Sequence, residues 1–162
     1  LYTNPEDSVG DPADLVALID AAIESNPENV DLWFGRGRIF YALKNYDESI
    51  ASFKKVVELK PDLFEGNYYL GVFYTIKADE MNKVMNEKQY SSQTAYDTDL
   101  KEVNAVYMDA VPWFEKAYEL KKDDVNTLDF LKSICFRLRD EEGMMDKYNK
   151  YNTLLKEAKG EE

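Results

Sequence analysis

Apolar positions in this chain recur at helical rather than strand spacing. Trp33, Gly37 and Phe40 stand at i, i+4 and i+7, and Tyr46, Ile50, Phe53 and Val57 follow at steps of three and four. Each set therefore lies on one face of a helix. Asn45 followed by Glu48 predicts a capping box at the start of the second helix. Pro61 stops that helix and opens the next. Gly37, with no side chain, predicts a close crossing with a neighbouring helix. Residues 27–61 thus form one helix-turn-helix unit of about 34 residues.

The same spacing can be followed along the whole chain. Residues 1–10 are polar, hold Pro5 and Gly10, and read as a loop. Asp11-Pro12 predicts a capped helix to about Ser25, over residues 11–26, whose Leu15, Ile19 and Ala22 precede Ser49, Phe53 and Val56 by one period. It corresponds to the second helix of a truncated unit. Residues 62–122 restart in register, with Asp62 and Glu65 as the expected cap and Leu70, Gly71 and Tyr74 in the recurring slots. The second half of this unit arrives late, at Ala110, Phe114, Ala117 and Leu120. An insertion over about 79–105 accounts for the delay, and its apolar spacing makes both helices of the unit overlong. Asp99 with Glu102 is the expected cap of the returning helix, and Pro112 within it predicts a kink. Residues 123–157 form a weaker, more polar terminal unit with a last helix from about Glu141, and 158–162 a charged tail.

The slots Trp33, Arg36-Gly37, Phe40, Ser49, Phe53 and Pro61 resemble the tetratricopeptide repeat pattern, with Arg36 in place of Leu and Ser49 in place of Ala. Four segments in register extend the resemblance over nearly the whole chain. It implies an all-α, right-handed superhelix of antiparallel helix pairs, about seven helices in all, with one overlong helical hairpin. The insertion, the Pro112-Trp113-Phe114-Glu115-Lys116-Ala117 segment and the ending Met144-Met145-Asp146-Lys147-Tyr148-Asn149 also resemble repeat proteins of Bacteroidetes bacteria. That likeness implies an exported, periplasmic setting. The start at Leu1 without Met is that expected of a piece of a longer or processed chain.

Charge and composition narrow the function. Lysine and arginine number 20 against 32 acidic residues, a formal net charge of −12 in 162 residues, which disfavours nucleic acid and anionic membranes as partners. No run approaches the roughly 20 apolar residues of a membrane span. The single Cys135 excludes an internal disulfide and, at i+4 from Leu131, falls on the packing face. With no histidine in the chain, Ser-His-Asp, Cys-His and histidine-containing zinc sites are excluded. Asp97-Thr98-Asp99 begins like a calcium loop, but Lys101-Glu102 break the ligand pattern. Neither catalysis nor a cofactor is expected.

In the family, the first helices of successive repeats line a groove that receives a peptide, one residue beyond the packing face. Carried onto this chain, the groove residues are Phe34, Arg38 and Tyr41, then Tyr68, Val72 and Thr75, then Asp129, Ser133 and Phe136. Aromatic groups around a cation suit peptide capture. Family members that clamp the carboxylate tails of chaperones use Lys and Asn at several of these positions, and Phe34, Tyr68 and Val72 depart from that pattern. Met81, Met85, Tyr90 and Tyr107 mark the hairpin as a second candidate surface. The expected function is a non-catalytic scaffold for a protein or peptide partner. The alternative is self-association, with the open N-terminal helix docking onto the parent chain or a second copy.

Overall fold

A computed structural model describes residues 12–160. The expected loop over 1–10, the Asp11 cap and the end of the charged tail lie outside the described residues. The fold is all-α, with seven helices among the described residues: α1 Pro12–Ser25, α2 Val30–Ala42, α3 Tyr46–Leu59, α4 Phe64–Glu87, α5 Gln93–Leu120, α6 Val125–Arg137 and α7 Met144–Lys159. They belong to two compact units that divide after Pro61.

In the first unit, α2 packs on both α1 and α3. Asn29 caps α2 by accepting from the Asp31 and Leu32 amides at 3.0 and 3.4 Å. Asn45 caps α3 through the Glu48 amide at 3.3 Å. Only half of the expected capping box forms, because the Glu48 carboxylate turns instead to Arg36 at 2.9 Å. Arg36 also reaches Asp20 on α1 and the Ser52 hydroxyl on α3, both at 2.8 Å, and lies over the Phe40 ring. A guanidinium standing where the pattern has Leu therefore ties all three helices together. At Gly37, α2 meets the Phe53 ring so closely that a Cβ would overlap it, and the Ser49 hydroxyl donates to the Gly37 carbonyl at 2.8 Å.

The second unit holds the long pair, α4 with 24 residues and α5 with 28, and then α6 and α7. Its core includes Ala78, Met85, Val103, Tyr107, Phe114, Leu128, Leu131, Cys135, Tyr151 and Leu155. Two expected caps differ. The first residue before α4 is Leu63, which offers no side-chain acceptor, so Asp62 and Glu65 do not form the cap. Helix α5 begins earlier than the Asp99–Glu102 pair, at Gln93, where the Ser92 hydroxyl accepts from the Ala95 amide at 3.2 Å. Asp99 lies inside the helix and accepts instead from Lys88 and Tyr90 at 2.6 and 2.8 Å, closing the hairpin. Helix α5 runs on through Pro112, which is exposed. Helix α7 starts at Met144, after Gly143 in the left-handed region at φ 75°, not at Glu141, and it continues through Ala158 and Lys159 of the expected tail.

Candidate functional site

Because the nine expected groove residues are divided between the two units, their positions are described unit by unit. In the first, Phe34 is half-buried with its ring edge-on to Phe53 at 4.9 Å, while Arg38 is exposed and Tyr41 is 44% exposed beside Tyr46. A cavity of about 470 Å³ in this unit is lined by Asp20, Ile23, Trp33, Arg36, Ala51 and Lys55 among others, with none of the three expected residues.

In the second unit a cleft lies beside part of the expected face. Thr75 and Asp79 of α4, Tyr107 of α5, and Asn126, Asp129, Phe130, Ser133, Ile134 and Arg137 of α6 line a cleft of about 420 Å³. Thr75 and Asp79 are one helical turn apart on α4, and Asn126, Asp129, Ser133 and Arg137 follow one another down a single face of α6. The two helices form the walls. Tyr107, buried among the core residues, forms part of the floor with its hydroxyl on the Asp79 carboxylate, and both burial and that carboxylate push its pKa up. Arg137 closes one end by donating to the Asn82 side-chain oxygen at 2.7 Å while its guanidinium lies 4.3 Å from the Tyr107 ring centroid. Asp129 faces Lys159 of α7 at 3.4 Å.

Three expected residues, Thr75, Asp129 and Ser133, thus line one cleft. Thr75 is itself largely covered, and its hydroxyl is spent on the Gly71 carbonyl at 2.9 Å. Tyr68 and Val72 pack against the core instead, Tyr68 lying near Phe114 and Phe130 at 5.9 and 6.0 Å, and burial raises its pKa. Phe136 is 48% exposed and turns toward α7, with its ring 5.1 Å from Tyr148. The step from Ser133 that stays on the cleft face is i+4, to Arg137, rather than i+3 to Phe136. Asp79, Tyr107, Asn126, Phe130 and Ile134 also belong to the cleft and were not among the expected residues. Asp79 was accessible as the i+4 continuation of Thr75 in a helix whose apolar spacing already ran past its usual end.

The hairpin candidates prove to be packing groups. Met85 and Tyr107 are each 3% exposed, and Met81 and Tyr90 are half-buried against the same core. Cys135 is fully buried, and burial pushes its thiol up to about 11, far from a nucleophile's range.

Residues 8–63 match the tetratricopeptide repeat model. Over that segment the chain carries the tetratricopeptide repeat. Among solved structures, MamA MSR-1 C2 is similar, at 17% identity and a TM-score of 0.56 over 90% of this chain and 68% of that one. MamA 41-end from Desulfovibrio magneticus RS-1 aligns at 16% identity and a TM-score of 0.38, over 90% of this chain and 86% of that one. YrrB, described as a tetratricopeptide repeat protein with an unusual peptide-binding site, aligns at 18% and 0.35, over 86% and 74%. What this chain shares with the first of these is its fold. The curated proteins compared with it give no match. Among the described residues, no helix is long and apolar enough to cross a membrane.

Proposed function

We propose that this chain is a non-catalytic protein-interaction module that holds a peptide segment of a partner in the cleft between α4 and α6. The supporting observation is the coincidence of two independent features: the helix faces that the repeat pattern assigns to a groove, and an open space of about 420 Å³ bounded by those faces. Its lining suits a peptide. Phe130 and Ile134 supply apolar contact, while Ser133, Asn126 and Arg137 supply hydrogen-bonding groups for a main chain or polar side chain. With a net charge of −12, the module is poorly matched to nucleic acid.

Peptides selected from a random displayed library on the purified chain provide the test. A selected peptide titrated against Ser133→Trp, which fills the cleft from an exposed position, should lose about tenfold or more in affinity, with the melting curve unchanged. Equal binding to both proteins would place the site elsewhere, and a Phe34→Ala, Arg38→Ala, Tyr41→Ala variant then tests the first unit. A second reading, self-association through α1, is favoured by one observation: Leu15 and Leu18 are 46% and 70% exposed on that helix. A mass in solution that stays monomeric as concentration rises removes it.

A further inference from the structure

The charges around the cleft are unequally engaged. Asp79 accepts the Tyr107 hydroxyl, and Asp129 has the Lys159 ammonium beside it at 3.4 Å. Arg137 has no carboxylate partner among the described residues. Its guanidinium is instead fixed by two neutral groups, the Asn82 side-chain oxygen at 2.7 Å and the Tyr107 ring at 4.3 Å. These contacts orient the cation without neutralising it. Asn82 and Tyr107 come from α4 and α5, so the guanidinium on α6 is held by the opposite wall and by the floor. A planar fork already fixed in position loses less rotamer entropy on binding than a free side chain, and its remaining N–H groups fit a carboxylate.

We infer that the cleft selects peptides carrying an acidic side chain, which Arg137 takes at its end of the cleft while Phe130 and Ile134 receive a neighbouring apolar side chain. This inference rests on the peptide-binding reading above and names the partner's chemistry. The chain's overall negative charge does not decide against it. At about 0.15 M salt, charges more than roughly 8 Å apart are largely screened, whereas a carboxylate in hydrogen-bond contact with Arg137 is not. At Asp129 a basic peptide has less to gain, because the Lys159 ammonium already stands beside that carboxylate.

The test uses three sets of immobilised nonapeptides, random except for a fixed central Glu, Gln or Lys, probed with the purified chain at 0.15 M salt. The wild-type chain should retain the Glu set about tenfold more strongly than the Gln set, the gain of one charge-assisted hydrogen-bonded pair. Arg137→Gln should level the two sets, and Arg137→Glu should move the preference to Lys. The wild-type comparison requires no variant to fold, and a melting curve recorded for each variant shows whether losing the Asn82 and Tyr107 contacts has affected its fold. Equal retention of all three sets, a wild-type preference for Lys, or an unchanged Glu preference in Arg137→Glu overturns the acid selectivity and leaves the peptide-binding reading standing. Retention of no set removes both.

Discussion

Alanine has opposite expected effects at Gly71, where two helices cross closely, and at Gly35, where a Cβ meets only an ordinary contact. A Cβ built at Gly71 would lie 2.9 Å from three atoms of the Phe114 ring. That ring has nowhere to go: it is fully buried, stacked on Phe130 at 4.7 Å and edge-on to Tyr68. Overpacking of this kind costs about 1–3 kcal/mol, against a gain of about 1 kcal/mol from replacing glycine by alanine in a helix. Gly71→Ala should therefore destabilise by up to about 2 kcal/mol, and Gly71→Leu by more. At Gly35 the nearest atom to a built Cβ is the Ile19 methyl at 3.7 Å, an ordinary contact. There Gly35→Ala keeps only the propensity gain and should stabilise by roughly 0.5–1 kcal/mol. Urea unfolding followed by helical circular dichroism reads both, with Trp33 and Trp113 fluorescence reporting on the two units separately. Equal stabilisation by alanine at both glycines would refute the close approach of α4 to Phe114.

Arg36→Leu restores the residue of the repeat pattern and frees Asp20 and Glu48, whose side chains are 44% and 45% exposed and can return to water. It should change stability by no more than about 1 kcal/mol, whereas Arg36→Ala also leaves a void and should cost roughly 2–4 kcal/mol; the same urea curves check both, and unfolding by Arg36→Leu would contradict this. Burial works against the Glu115 carboxylate, but Lys147 at 2.8 Å and the Tyr151 hydroxyl at 2.6 Å outweigh it and hold its pKa below the usual range. Its contribution is present at neutral pH and is lost as the pH falls below about 4.5 and through the folded-state value, so Glu115→Gln should cost about 1 kcal/mol at pH 7 and progressively less in acid. A gap that widens in acid would show the opposite sign. At pH 8 the raised Cys135 thiol should react with a disulfide reagent only on unfolding, so labelling that is fast in the absence of urea would count against its burial.

Much of the fold was legible because the helix breakers and the apolar faces agree. Pro27 and Pro61 fall in turns, the capping asparagines Asn29 and Asn45 precede their helices, and Gly37 and Gly71 sit where side chains of the partner helix cross. The start of α5 was less legible. Ser92 and Asp99 both offer capping chemistry, and local sequence does not reveal that Asp99 is claimed by Lys88 and Tyr90 across the hairpin. The site divided in the same way. Thr75, Asp129 and Ser133 follow from one helix face, but after Ser133 both Phe136 and Arg137 fit helical spacing, and packing of Phe136 on Tyr148 decides between them. Tyr107 joins the cleft only because α5 returns beside α4, a tertiary relation that no single helical pattern contains.

The most direct measurement is amide chemical-shift mapping of the labelled chain with a selected peptide. The account predicts shifts centred on Thr75, Asp79, Asn126, Ser133 and Arg137. Shifts confined to Phe34–Tyr41, to the Phe136–Tyr148 surface or to α1 would contradict it.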